Sequence, residues 1–322
     1  MRHLLKASVL GLALAATLIS AAARATDVSP DSATISPPTL QQELEVNWNS
    51  VPTQTIMADG VTFAYRELGK SHGGTPVVFL THLAAVLDNW DPRVVDGFAA
   101  EHHVVAFDNR GVGASSGSPS KSIEQMADDA ITFIKAMGFK QVDLFGFSMG
   151  GMVAQEIALK DPQLVRKIIL AGTGPAGGEG ISDVAGVTFY DMLRGFFTRQ
   201  DPKQYLFFTR TPTGIDAGKA FLARLNERSE NRDKEISVTA FLAQLKAIRA
   251  WGHKEPEDLS VVANPVLVVN GDSDRMVPSK DSQDLARRLP NSNLVIYPDA
   301  GHGGVFQYQA DFVPKALEFL AR

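Results

Sequence analysis

Gln141-Val-Asp-Leu-Phe-Gly-Phe-Ser-Met-Gly-Gly-Met-Val-Ala-Gln-Glu-Ile-Ala-Leu159 is the stretch on which the reading of this chain turns. Gln141 to Phe145 is a short apolar run suited to a buried strand, and Met152 to Leu159 are good helix formers with an apolar face. Between them, Gly146 to Gly151 carries the spacing Gly-x-Ser-x-Gly. That spacing alone is common; set between a strand and a helix it marks a strained turn that lifts a serine hydroxyl off the carboxyl edge of a sheet. A side chain at Gly146 or Gly150 would collide with the adjoining strand or helix. Ser148 would then sit above a helix amino terminus, where negative charge is stabilised. The plainer alternative, a serine that only caps a helix, is weighed against the partners that follow.

A serine hydroxyl attacks poorly at neutral pH without a base, and the base needs an orienting group. His302 is the base candidate. It lies in the glycine-rich loop Gly301-His-Gly-Gly304 after the strand-like Asn293 to Tyr297. The other histidines fit less well: His3 is in the leader, His72 in a glycine-rich loop, and His102 and His103 open a strand. His253 follows a helix and could line a pocket without acting as the base. The acid candidate is Asp274, just past the buried-strand run Pro265 to Asn270. Asp272 is its rival, with turn formation as the simpler role.

From about Thr53 to Arg322 the chain resembles the α/β-hydrolase superfamily. The Gly-x-Ser-x-Gly elbow falls at Ser148, a Gly-x-x-Asp-x-x-x-Pro loop runs from Gly271 to Pro278, and a Gly-His pair stands at Gly301-His302. The elbow, with Asp108-Asn-Arg-Gly111, is most similar to the branch of carboxylesterases, enol-lactonases and cofactor-free haloperoxidases or perhydrolases. The resemblance implies a mostly parallel twisted sheet with helices on both faces and a helical lid. It also implies a Ser148–His302–Asp274 triad and an oxyanion hole made by two backbone N–H groups. One is that of Met149; the other comes from the loop after Pro76 to Thr81. The family's usual His-Gly there reads His82-Leu83, so Leu83 supplies the second amide, and its side chain crowds the reacting carbonyl. His82 itself reads as a loop residue bonding nearby backbone. Asp108 and Arg110 read as loop ties behind the site.

The remaining chain fits this frame. With 322 residues and 44% hydrophobic content, one large α/β core with an insertion is expected. The core occupies 51–173 and 259–322, split by a helical lid over 174–258. Ten aromatic residues fall in the lid, which suits an apolar pocket; His82, Phe147, Phe189, Phe197 and Trp251 are the candidate lining. A helix over Ser122 to Met137 has a clean apolar stripe, a Ser122–Gln125 capping box, and Asp128 and Asp129 on a solvated face.

Residues 1–25 combine a basic start, an apolar alanine-rich run and Ala23-Arg-Ala25, the pattern of a bacterial signal peptide cleaved after Ala25. The expected location is the periplasm or medium, with no stable membrane insertion after cleavage, and 26–50 reads as a flexible linker. Cleavage removes Arg2, Lys6 and Arg24, taking the formal charge from −5 to −8. Zero cysteines exclude a thiol nucleophile and thiolate metal sites. No metal, no bound cofactor and no nucleic-acid partner is expected. The expected partner is a small-molecule ester, with lactone hydrolysis, peracid formation, C–C bond hydrolysis and amino-terminal peptide cleavage as alternatives. A non-catalytic ligand-binding role would normally have lost a triad member. The sequence does not indicate an oligomeric state.

Overall fold

The computed structural model describes residues 46–322. Its short runs of β-branched and aromatic residues form eight strands: β1 Gln54–Ala58, β2 Val61–Leu68, β3 Val77–Leu80, β4 Val104–Phe107, β5 Val142–Phe147, β6 Val165–Ala171, β7 Val266–Gly271 and β8 Ser292–Tyr297. They make one sheet in the order β1-β2-β4-β3-β5-β6-β7-β8. β1, β2 and β4 pair antiparallel, and every pair from β4 onward is parallel. Asp59 and Gly60 join β1 to β2 with φ of 46° and 73°, the two left-handed residues a tight hairpin turn requires.

The strands alternate their apolar residues between two cores, because successive side chains point to opposite faces. Val78, Leu80, Leu144 and Val268 face one core, closed by α2 Ile123–Ala136, α3 Met149–Lys160 and α8 Ser279–Arg288. Val77, Phe79, Phe145 and Val269 face the other, closed by α1 Pro92–Ala99, the short α9 Gly304–Gln307 and α10 Gln309–Ala321. Strand order reverses around β3, with β4 on one side and β5 on the other. Such a switch point opens a crevice at the carboxyl ends of the strands. Four helices lie between β6 and β7: α4 Val184–Thr198, α5 Lys203–Phe207, α6 Pro212–Leu225 and α7 Val238–His253.

Several local expectations need correction. Trp48 is buried and its backbone N–H donates to Asp96 at 2.7 Å, which together fold the last part of the expected 26–50 linker onto α1. Residues 26–45, and the signal peptide over 1–25, lie outside the described residues. Ser122 caps α2 by accepting the Gln125 N–H at 3.2 Å, but the Gln125 side chain takes the Lys121 N–H at 2.8 Å. Half of the capping box therefore forms. Asp128 is exposed, whereas Asp129 is turned inward, accepting from Ser120 and facing Arg110 at 3.5 Å.

Candidate active site

β5 delivers Ser148 and α3 begins at the next residue, so the serine occupies the corner between them. Its φ of 56° and ψ of −119° lie in a region that L-residues avoid, and its N–H is held by the Ala171 carbonyl at 2.8 Å. The close packing that forces this corner is visible at the glycines. A Cβ at Gly146 would lie 2.6 Å from the Gly151 Cα, and one at Gly150 would fall on the Leu80 carbonyl of β3.

The loops after β7 and β8 converge on that serine. His302 Nε2 is 2.8 Å from Ser148 Oγ, and His302 Nδ1 is 2.8 Å from Asp274 Oδ2. A carboxylate accepts, so the Nδ1 carries the proton and Nε2 is left to accept from the serine hydroxyl. The other oxygen, Asp274 Oδ1, takes the N–H groups of Met276 and Val277 at 2.7 and 3.0 Å, which fixes the carboxylate plane. Asp272 points elsewhere: its Oδ1 accepts from Ser273 Oγ at 2.8 Å and the Ala300 N–H, the bonds of a turn residue. The structure therefore brings together Ser148, His302 and Asp274 and leaves Asp272 out. His72, His102, His103 and His253 also lie away from the cavity.

The loop after β3 crosses in front of Ser148. Among the described residues, neither the Leu83 nor the Met149 N–H meets an acceptor in the protein. His82 Nδ1 donates to the Leu83 carbonyl at 2.8 Å. Burial lowers the His82 pKa to about 3, so the ring is neutral at any ordinary pH. Ala84 is left-handed, with φ of 62°, and its N–H donates to Gln244 Oε1 of α7 at 2.8 Å. Asp108 behaves as the loop tie expected of it, accepting the Leu87 and Ala114 N–H groups at 3.1 and 3.2 Å.

A cavity of about 310 Å³ opens onto Ser148 and His302. Its walls are mostly apolar: Leu83 and Ala84 from the β3 loop, Met192 from α4, Leu206 and Phe207 from α5, Phe241 from α7. His82 lines it as expected, but four other candidates do not. Phe147 is fully buried beneath the site, its ring 5.3 Å from His82 and 5.0 Å from His302. Trp251 is 2% exposed within the core, its indole N–H reaching the Gly174 carbonyl. Phe189 and Phe197 are 48% and 74% exposed. α4 is inverted relative to an ordinary amphipathic helix, since the residues it buries are Val184, Thr188, Asp191 and Gly195. Asp191 can face inward because Arg275 meets it at 3.1 Å. Among the described residues Lys203 is the one lysine or arginine on the cavity wall, paired at 3.3 Å with Asp201, which lines the same wall. A wider groove of about 560 Å³ borders Asp274 and Arg275 but reaches neither Ser148 nor His302. Among the described residues no group of His, Asp or Glu side chains could hold a metal ion, and no helix is long and apolar enough to cross a membrane.

Gln244 is the residue that sequence reading passed over. The signal was available: it is a polar residue on the α7 stripe of Ala240, Ala247, Ile248 and Trp251, and it is 1% exposed.

The profile of the alpha/beta hydrolase fold matches residues 75–307. The chain belongs to the α/β-hydrolase family. This α/β hydrolase is 29% identical to the 2-hydroxy-6-oxo-6-(2'-aminophenyl)hexa-2,4-dienoic acid hydrolase of Metapseudomonas resinovorans, over 83% of this chain and 90% of that protein. It is 25% identical to a non-heme haloperoxidase of Rhodococcus erythropolis, over 76% of this chain and 91% of that protein. An alpha/beta hydrolase fold protein from Chitinophaga pinensis superposes with a TM-score of 0.81 at 36% identity, covering 85% of this chain and 99% of that one. The α/β-hydrolase fold and its mostly parallel sheet are as the sequence led one to expect.

Proposed function

We propose that this α/β hydrolase cleaves small, mostly apolar carboxylic esters through an acyl-enzyme. The observation that carries the reading is the unbroken line of hydrogen bonds from Ser148 through His302 to Asp274, opening into an apolar cavity. Ser148 Oγ attacks the ester carbonyl while His302 Nε2 takes its proton, and Asp274 holds the imidazolium that forms. The Leu83 and Met149 amides, unpaired in the free enzyme among the described residues, receive the oxyanion. His302 then returns its proton to the departing alcohol. Water, activated by the same ring, attacks the acyl carbonyl and releases the acid with Ser148 restored. The helices α4 to α7 act as the lid over this cavity.

A p-nitrophenyl ester series from acetyl to dodecanoyl tests the reading with the wild type and Ser148→Ala. Turnover should fall by roughly 10⁴-fold or more in the variant, as loss of a triad nucleophile does elsewhere. Retained turnover in a purified variant would remove Ser148 from the mechanism. The chain length at which the wild type peaks measures the cavity.

One observation favours a second reading. Lys203 places an ammonium on the cavity wall, where among the described residues it is paired only with Asp201 of the same wall at 3.3 Å, a bond long enough for a substrate carboxylate to compete with. The name of the Metapseudomonas relative specifies a dienoic acid for that protein. Under this reading the same triad would hydrolyse a C–C bond in an acidic substrate, and assay of such an acid beside the neutral esters separates the two.

A further inference from the structure

We propose that Gln244 is a positioning residue for the oxyanion hole. From the lid helix α7 it holds the Leu83–Ala84 turn in the backbone conformation that aims the Leu83 N–H at the reacting carbonyl. This rests on the serine-hydrolase reading above and adds to it a requirement that the lid be seated for the oxyanion hole to exist.

Three observations converge on the turn. Ala84 has φ of 62°, a conformation that costs an L-residue and that a free loop would leave for the ordinary region. The peptide unit joining Leu83 to Ala84 is gripped at both ends: its carbonyl accepts from His82 Nδ1 at 2.8 Å, and its N–H donates to Gln244 Oε1 at 2.8 Å. The first grip is local, whereas the second spans 160 residues of chain and comes from a different layer of the molecule. The neighbouring amide, that of Leu83, is the one without an acceptor among the described residues. A rigidly held peptide beside an unpaired N–H is the arrangement that electrostatic preorganisation calls for, since the donor must not have to turn when charge develops.

Packing does not account for the residue. Gln244 is 1% exposed on an apolar helix stripe, and its Nε2 has no partner among the described residues. Burying an unpaired amide is unfavourable, so an apolar residue would serve the lid better if the bond to Ala84 did nothing. The amide orientation is set by that bond, because only the oxygen can accept an N–H.

Gln244→Leu removes the acceptor at similar volume, and Gln244→Glu keeps one. For p-nitrophenyl esters the leucine variant should lose about 10- to 100-fold in kcat with KM within about twofold, the signature of an interaction made in the transition state. Affinity for an alkylboronic acid, which places an oxyanion in the same hole, should weaken by the same factor. The glutamate variant should stay within about fivefold of wild type. A folded leucine variant with unchanged kcat, or a loss confined to KM, overturns the proposal. Amide hydrogen exchange on the wild-type protein decides the case if the leucine variant does not fold. The Ala84 amide should be strongly protected beside a fast-exchanging Leu83, and equal exchange at the two overturns the proposal. Should the wild type hydrolyse no ester, the functional reading fails, while the exchange contrast still reports whether Gln244 holds the turn.

Discussion

The loops after β3 and β8 each bring a buried histidine against the same two phenyl rings, and the two histidines are chemically opposite. His82 lies 5.3 Å from Phe147 and 5.2 Å from Phe207; His302 lies 5.0 and 5.5 Å from the same rings. Both are within 4% of full burial. The difference is the group behind Nδ1. His302 has the Asp274 carboxylate there, the partner that the proposed mechanism requires for a ring that takes the serine proton. His82 has only the Leu83 carbonyl, and burial, the dominant influence, pushes its pKa down to about 3. An apolar pocket thus supplies a proton carrier only where a buried anion is provided with it; without one the same side chain becomes a rigid, neutral strut.

Breaking each loop should expose that asymmetry. His302→Ala should lower kcat/KM by roughly 10⁴-fold, comparable to loss of the nucleophile. Activity within tenfold of wild type would mean that His302 is not the base. Asp274→Asn should cost about 10³- to 10⁴-fold by leaving the ring in the wrong tautomer, while Asp272→Asn should remain within about threefold. The reverse pattern would move the acid two residues upstream.

His82→Gln should cost about tenfold or less, the worth of one lost packing contact and hydrogen bond, and should leave the pH profile of kcat/KM in place. Its effect on stability has a definite sign. The unfolded chain protonates this histidine near 6.5, the fold not until about 3, so the stability it contributes is full above about pH 6.5 and is lost as pH falls toward 3. Thermal melts at pH 7 and pH 4.5 should show the wild type losing ground to His82→Gln on acidification. A constant gap would mean that His82 titrates as an ordinary exposed ring.

How much of this could be read from the sequence follows the range of the physics. Ser148 was legible because the elbow imposes local demands, glycines two residues either side and a strand and helix flanking them, that survive as spacing. Asp274 was legible because it sits in the first polar loop after the buried strand β7, and His302 because it sits in the glycine-rich loop after the edge strand β8. The packing of the helices between β6 and β7 was not legible. Phe189 and Phe197 fail as lining residues because α4 buries Val184, Thr188, Asp191 and Gly195, with Arg275 meeting Asp191, a face that hydrophobicity along the helix does not pick out. Phe147 and Trp251 fail as lining residues because both are buried: the Phe147 ring lies 5.0 Å from His302 but beneath the site, and Trp251 lies within the core. Gln244 is visible in the sequence as a polar residue on an apolar helix stripe, but its partner lies 160 residues away and no local pattern names it.

The chain separations within the site have a kinetic consequence. Ser148 meets His302 across 154 residues, and His302 meets Asp274 across 28. A contact that spans 154 residues carries a loop-closure cost that the rest of the sheet must offset. β7 pairs with β6 and β8 with β7, so under the proposed mechanism the serine lacks its base until both strands are in place. On that reading the order in which the sheet is completed also decides when the hydroxyl becomes a nucleophile.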